Sequence, residues 1–294
     1  MIGVSLQAAF RAESVGASGE VALFRAFIRA FDALNGEALA KEYHGTRYQV
    51  TFSEGRGAGR SVPRCELCDV MIISYPKGHP WAARVTFNQA KVAKSPFQCS
   101  WSPSTDGPYR FRANLEQWDL LSNRPPIKSA TATFNPPPGL LQNALLSSVG
   151  SFGVFYPVSH GYECAYFVAD VLVPLTNGVS RSGTLQWSTE LLTPRTVAGH
   201  EEILGTCCLE YFGNAIQAGR VGTPLAQLMN SGTGSEKART WITQILASLR
   251  HEYPESELPD ELLEGLELRV EDERASVAIT AGNYSPRAVV LIRT

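Results

Sequence analysis

Residues 64–96, RCELCDVMIISYPKGHPWAARVTFNQAKVAKSP, contain two apolar segments joined by the short turn PKGHP. Both segments have the composition of buried strands, and a five-residue connection is typical of an antiparallel hairpin. Each segment also carries polar residues where a buried strand should be apolar. Asp69 lies at the start of the first strand, and Gln89 and Lys91 lie near the end of the second. The hairpin decides the local fold, and its polar residues need an explanation.

The spacing of these polar residues predicts that they meet on one face. Side chains two residues apart in a strand point the same way, so Gln89 and Lys91 are neighbours. A hairpin register that pairs Asp69 with either Phe87 or Gln89 brings the aspartate to that face as well. A carboxylate, an amide and an ammonium group then converge.

The chemistry of this set suits hydrolysis of a phosphodiester. Asp69 can bind a hard divalent cation, and the side-chain oxygen of Gln89 and the carbonyl of Ala90 can add neutral oxygen ligands. Lys91 can orient a water molecule or offset the negative charge that develops on phosphorus. The alternative is a simple salt bridge between Asp69 and Lys91 at the strand ends, with Gln89 a polar residue at an edge.

The flanking sequence predicts an order of helix, three strands and helix. Residues 18–45 have apolar residues at helical spacing after an N-cap serine, with a break expected near Asn35 and Gly36. Residues 46–52, TRYQVTF, alternate as a strand does, and the hairpin follows. Residues 112–123, RANLEQWDLLSN, predict a short helix.

The segments CDVMIIS and VTFNQAK resemble motifs of the PD-(D/E)xK nucleases. Within this superfamily they resemble specifically the Mrr-type restriction enzymes and related phage-defence nucleases, whose last motif commonly reads Gln-x-Lys. The resemblance covers roughly residues 15–125 and implies an α/β fold with a restriction-endonuclease-like core. That core would comprise a helix, the three-stranded antiparallel start of a mixed sheet and a second helix, followed by a C-terminal α+β extension.

The resemblance also implies roles for individual residues. Asp69 would bind Mg²⁺ or Mn²⁺, Gln89 would support the metal, and Lys91 would activate or position the attacking water. Glu20, at the start of the first helix, matches the additional acid of the family. Glu66 is the competing candidate, although it faces the opposite side of a regular strand and reaches the metal only through a bulge or turn. For both acids the alternative is an ordinary surface carboxylate.

Several basic residues near these segments are candidates for contacts with nucleic-acid phosphates, most simply those of double-stranded DNA. The alternative for each is a solvated surface cation. They are Arg56, Arg60, Arg64, Lys94, Arg110 and Arg112.

The chain has a net charge of −2, but residues 47–128 are locally basic and residues 251–275 are locally acidic. The acidic tail suggests a shield over the basic surface, removable by deleting residues 251–294.

The amino-acid composition limits the classes of protein to which this chain can belong. The 294 residues, 44% of them apolar, can bury a full core, and no apolar run reaches the roughly 18 residues of a membrane span. The N-terminal residues do not resemble a secretory signal, so we expect a cytoplasmic protein. Six cysteines are too sparse for a disulfide scaffold, and the pair in CELC has no partner pair at zinc-finger spacing.

Residues 136–138, a run of three prolines, are the candidate boundary between a nuclease core at 1–135 and an accessory α+β region at 136–294, which can also pack with the core as one domain. In the accessory region we predict helices at 134–150, 200–219 and 235–253. We predict strands at 153–158, 162–175, 266–270, 275–281 and 287–293.

The sequence thus predicts a metal-dependent endonuclease, a magnesium-dependent deoxyribonuclease acting in bacterial defence against phages. The alternative is a catalytically weak, nuclease-derived subunit that binds nucleic acid or acts as a scaffold in a larger complex. A homo-oligomer, or a partner subunit with ATPase or sensor function, fits either expectation. The sequence offers no signal for DNA over RNA, for sequence preference or for an activating signal.

Overall fold

The computed structural model describes residues 1–43, 48–53, 62–96, 109–131, 134–176, 180–187, 194–230, 234–269 and 285–294. Seven α-helices form within these ranges. They are α1 (Ile2–Glu13), α2 (Gly19–Ala30), α3 (Leu115–Asn123), α4 (Leu209–Gln217), α5 (Leu225–Asn230), α6 (Ser235–Glu252) and α7 (Leu258–Gly265).

Sixteen strands form within the same ranges. The first eight are β1 (Ala38–Glu42), β2 (Gln49–Phe52), β3 (Arg64–Glu66), β4 (Val70–Tyr75), β5 (Arg84–Val92), β6 (Arg110–Asn114), β7 (Ile127–Ser129) and β8 (Gly150–Val158). The others are β9 (Gly161–Val168), β10 (Leu172–Pro174), β11 (Ser182–Trp187), β12 (Arg195–Val197), β13 (His200–Glu202), β14 (Gly205–Thr206), β15 (Thr223–Pro224) and β16 (Ala288–Arg293).

The main sheet is mixed and has the strand order β1-β16-β4-β5-β8-β9-β14, with β15 paired to β5. The pairs β16–β4 and β5–β8 are parallel, and the other pairs are antiparallel. The predicted hairpin of β4 and β5 is confirmed, in a register that pairs Val70 with Asn88. One residue further along this register, Asp69 comes opposite Gln89.

Helices cover both faces of this sheet. Apolar side chains of α1, α2 and α4 pack on one face with Val70 and Ile72 of β4. Those of α3, α5, α6 and α7 pack on the other face with Met71 and Ile73. Strands buried on both sides must be apolar throughout, which explains the continuous apolar runs in β4 and β16. The fold is therefore α/β with three layers.

The first predicted helix is shorter than expected. It ends at Ala30, a 3-10 turn follows at Phe31–Leu34, and Asn35 takes a left-handed conformation with φ of 49°. The break near Asn35 and Gly36 is thus confirmed, but the residues after it form β1 and not more helix. β1 pairs with β16 as a strand, and this tertiary contact outweighs its local helical pattern.

The expected three-stranded start of the sheet is wrong in its first strand. TRYQVTF contributes β2, but β2 lies in a separate sheet of order β3-β2-β7. The place beside β4 is taken by the C-terminal strand β16, which runs parallel to it. β16 is apolar on both faces and is better suited to the centre of a covered sheet than the half-buried β2.

In the accessory region one predicted helix is wrong and another is shorter than predicted. Residues 139–149 form turns and a 3-10 segment after the prolines, in place of a helix. In the segment 200–219, the helix starts only at Leu209, because His200–Glu202 pairs with Arg195–Val197 as a hairpin. Residues 266–269 are not a strand, whereas the predicted strand at the end of the chain is confirmed as β16.

The main sheet takes strands from both sides of the proline run, since β4 and β5 lie beside β8 and β9. The boundary expected at residues 136–138 therefore falls within one sheet.

Within the described residues, none of the helices has the length and apolar character needed to cross a bilayer. Among the described cysteines, four are buried thiols outside any disulfide, whereas Cys207, just before α4, is disulfide-bonded. The four are Cys65, Cys68, Cys164 and Cys208.

Candidate functional site

One edge of the main sheet collects charged side chains from four strands. Register places Glu42, Ala288, Val70 and Asn88 side by side across β1, β16, β4 and β5. Arg287 directly precedes β16 and Asp69 directly precedes β4, so both residues lie at this edge. Gln89 and Lys91 follow on β5. Segments from the start, middle and end of the chain thus meet at a single edge.

Asp69 is the centre of this cluster and is almost fully buried. Its Oδ2 accepts a hydrogen bond of 2.8 Å from the backbone N–H of Ala90. Its Oδ1 lies 3.4 Å from Nη1 of Arg287, and its Oδ2 lies 4.0 Å from Nζ of Lys91. The carboxylate is therefore fixed by the neighbouring strand and faced by two cations.

Lys91 links Asp69 to the helix α2. Its ammonium group donates a hydrogen bond of 2.6 Å to its own neighbour, the carbonyl of Ala90, and lies 3.5 Å from Oε1 of Glu20. The Lys91 side chain is 8% exposed, whereas that of Glu20 is 46% exposed. Glu20, in the first turn of α2, therefore forms the solvent-facing side of the cluster.

Gln89 is fully buried beside these charges. Its Nε2 donates to the backbone carbonyl of Glu66 at 3.2 Å, which orients the amide. Its Oε1 has no hydrogen-bond partner among the described residues. An unpaired buried acceptor costs about 1–3 kcal/mol, so such atoms in folded proteins point to a ligand or to a functional role.

Glu66, the last residue of β3, completes the group of acids. Burial raises the pKa of Glu66, and the nearby charge of Asp69 raises it further. Burial is also the main cause of the raised pKa of Glu20, with Asp69 adding repulsion and Lys91 opposing it. Three carboxylates thus face two cations, Lys91 and Arg287, and the cluster has an excess of negative charge.

This donor set fits a hard divalent cation in its chemistry. Carboxylate and amide oxygens are the ligands that Mg²⁺ and Mn²⁺ prefer, and the unpaired Oε1 of Gln89 is such an oxygen. Within the described part of the chain, no three His, Cys, Asp or Glu side chains form a ready metal site. The carbonyl of Ala90, a predicted ligand, is engaged by Lys91. Lys91 and Arg287 therefore contact oxygen atoms that a metal ion would need as ligands.

Three of the predicted phosphate-binding residues are exposed and share one surface. Arg64 donates to Gln49, Arg110 to Gln186 and Arg112 to Ser182, all of them neutral side chains. Because these partners, the ones found in the described part of the chain, carry no charge, they leave the positive charge of each guanidinium group available for an anion. Lys94 is also exposed, just after β5. Arg56 and Arg60 lie outside the described residues.

A further arginine on this surface, Arg181, is not among the predicted residues. It donates to the carbonyl of Arg64 at 2.7 Å and forms an ion pair with Glu116 at 2.9 Å. We name the group of Arg64, Arg110, Arg112 and Arg181 the arginine surface. Arg64 lies only two residues before Glu66 in β3, so this surface begins within about 7 Å of the acidic cluster.

Sequence reasoning also missed Arg287 and Glu42. Arg287 precedes β16 just as Asp69 precedes β4, and the two are adjacent only because these strands pair in parallel. The one available signal is a basic residue directly before a strongly apolar strand, which by itself points to no partner. Comparison with known proteins adds nothing here, because no family model, curated protein or solved structure matches the chain.

Proposed function

We propose that this chain is a metal-dependent nuclease that hydrolyses phosphodiester bonds of DNA at the cluster of Asp69, Gln89 and Lys91. The observation that carries the proposal is the position of the Lys91 ammonium group, which lies 3.5 Å from Glu20 and 4.0 Å from Asp69. Gln89, two residues earlier on the same strand, has a buried Oε1 without a hydrogen-bond partner among the described residues. Their order along the chain is the one implied by the resemblance to PD-(D/E)xK nucleases. That resemblance also supports a role in defence against phages.

Each residue has a role in this proposal. Asp69 and Gln89 would hold the cation, with Glu20 or Glu66 as the further acid. A bound divalent cation would polarise a phosphoryl oxygen and lower the pKa of a water molecule. The ammonium group of Lys91 lies between Asp69 and Glu20, where it can orient a water molecule and offset charge on the phosphate. The arginine surface would hold the nucleic-acid backbone without reading its sequence.

The test is cleavage of plasmid DNA by the purified chain with Mg²⁺ or Mn²⁺, with and without EDTA. We expect cleavage that EDTA abolishes, and Lys91→Met and Asp69→Asn should each reduce the rate by about 100-fold or more. Lys77→Met is the matched control, because Lys77 is an exposed lysine whose acidic neighbour, Glu37, lies at the opposite end of β4. Undiminished cleavage by Lys91→Met would contradict the assignment.

A specific observation favours a second candidate function, that of a nucleic-acid-binding or scaffolding subunit with weak catalysis. Both oxygens of Asp69 are already engaged, one by Arg287 and the other by the N–H of Ala90. Binding of DNA that is unaffected by EDTA, with no cleavage under any metal, would support this candidate over the nuclease.

A further inference from the structure

We propose that Arg287 competes with a divalent cation for Asp69, and that the displaced guanidinium group binds the phosphate of the substrate. The inference rests on the proposed nuclease function and assigns a further binding residue to it. Arg287 comes from the segment just before the last strand, far in sequence from the residues that the nuclease motifs cover.

Arg287 is shared between two acids and held tightly by neither. Its Nη1 lies 3.4 Å from Oδ1 of Asp69, and its Nη2 lies 4.0 Å from Oε1 of Glu42. Strong charge-assisted hydrogen bonds of arginine are about 2.7–2.9 Å long and often bidentate. A guanidinium group held by two long contacts can leave either acid with little loss.

The surroundings allow the group to move without leaving the site. The guanidinium carbon lies 4.9 Å from the centre of the Phe24 ring, a contact that does not depend on Asp69. Glu42 has a second partner in the more exposed Arg25 at 3.5 Å, so it is already oriented to accept cations. A shift of Arg287 towards Glu42 would therefore keep the ring contact and strengthen one ion pair.

Oδ1 of Asp69 is the oxygen for which the two cations compete. Oδ2 is fixed by the N–H of Ala90, so Oδ1 is the atom that remains for a metal, and Arg287 faces it. A divalent cation at Oδ1 and a guanidinium group in contact with the same atom repel each other. Once displaced, the fork of N–H donors stays at the same sheet edge as Lys91, where a phosphate would bind.

The competition is tested by calorimetric titration of Ca²⁺ alone into the purified chain. We compare the unaltered chain with Arg287→Gln, Asp69→Asn and the matched control Arg25→Gln, which removes the other arginine paired with Glu42. Arg287→Gln should bind Ca²⁺ about tenfold more tightly, Arg25→Gln should not bind it more tightly, and Asp69→Asn should not bind it. With Mg²⁺ and DNA, Arg287→Gln should cleave about 100-fold more slowly despite the tighter cation site.

The results separate this inference from the proposed function. Ca²⁺ binding that needs Asp69 but is no tighter in Arg287→Gln, or undiminished cleavage by that variant, would overturn the role of Arg287 and leave the nuclease in place. If neither the unaltered chain nor Arg287→Gln binds Ca²⁺ through Asp69, the nuclease proposal fails and this inference with it. Binding by Arg287→Gln alone would support the competition.

A second measurement uses the unaltered chain, so that it does not depend on the folding of Arg287→Gln. The Nε–H signal of Arg287 is identified in nitrogen-15 NMR spectra as the one missing from Arg287→Lys. Its chemical shift should change as Ca²⁺ is added, because the partner of the guanidinium group changes. A signal that stays in place at saturating Ca²⁺ would overturn the proposal.

Discussion

At the scale of single residues, the acids of the cluster carry charges that the folded protein accommodates at a cost. Glu66 and Glu20 both have raised pKa values because burial and the charge of Asp69 disfavour their ionised forms. The folded protein then binds more protons than the unfolded chain between the two pKa values of each acid. Stability is therefore lost as the pH rises through that interval, and it stays lower above it.

Glu66→Gln tests this reasoning. The variant should melt about 1–2 °C above the unaltered chain at pH 7–8, because it removes a charge that burial disfavours. The difference should shrink as the pH falls below about 4, because a glutamate in the unfolded chain, with a pKa of about 4.3, then also becomes protonated. Thermal melts across this pH range, in EDTA, provide the measurement.

Glu116→Gln is the matched control for that experiment. Glu116 is more deeply buried than Glu66, but its carboxylate is paired with Arg181 at 2.9 Å, so losing its charge should lower the melting temperature at pH 7. A rise at pH 7 in both variants would show that the effect is not specific to the acidic cluster.

The part of the site formed by the hairpin was predictable from sequence. Asp69, Gln89 and Lys91 lie within 23 consecutive residues, and the alternation of a strand with the length of a turn determines which side chains meet. Arg287 and Glu42 could not be placed in this way. Their position depends on β16 lying between β1 and β4, and the local sequence does not specify which strand becomes its neighbour.

At the scale of elements, β16 is the strand on which the site depends most. It separates β1 from β4, and its residues from Ala288 to Ile292 are fully buried. The sequence suggested that residues 251–294 form a removable acidic shield. Because these residues include α7 and β16, deleting them would remove a central strand, and the increase in cleavage expected from a simple shield should not follow.

Leu291→Ala measures the contribution of β16. It should lower the free energy of unfolding by about 2–5 kcal/mol, because a buried leucine in a fully packed sheet leaves a cavity when it is truncated. Leu175→Ala is the matched control, since Leu175 is 44% exposed and its truncation should change stability by no more than about 0.5 kcal/mol. Denaturant unfolding of both variants gives the comparison, and equal effects would contradict the central position of β16.

The elements that were predicted wrongly share a physical reason. The helical pattern at residues 38–42 and at residues 200–208 is a local preference. The structure instead pairs the first segment with β16, which is distant in sequence, and residues 200–202 with β12 in a hairpin. Helices with strong amphipathic faces, such as α2 and α6, need no such partner, and both begin where the sequence predicts. Non-local pairing is the information that a single sequence does not provide.

At the scale of the whole molecule, a net charge of −2 conceals a division between surfaces. The acidic cluster and the arginine surface meet at β3, which carries both Glu66 and Arg64, so a polyanion bound by the arginines passes close to the site. Contacts with phosphates release counterions, which makes binding depend steeply on salt concentration.

Arg110→Ala combined with Arg112→Ala should reduce the salt dependence of DNA binding. Two fewer phosphate contacts lower the slope of log affinity against log salt concentration by about 2, and affinity falls for all sequences alike. Arg29→Ala combined with Arg220→Ala is the control, because these exposed arginines are paired with acids at 2.6 and 2.7 Å. Fluorescence anisotropy at several salt concentrations measures both, and an unchanged slope for the first pair would exclude it from the interface.

The position of β16 has a consequence for synthesis of the protein. A ribosome makes Glu20, Asp69 and Lys91 early, but the strand that fits between β1 and β4 emerges only after residue 287. Until then the nascent chain lacks the bridge that brings Glu42 and Asp69 to one sheet edge. Glu42 and Arg287 therefore join Asp69 only once residues 287–293 have been made, so this part of the cluster forms after the part that the hairpin supplies.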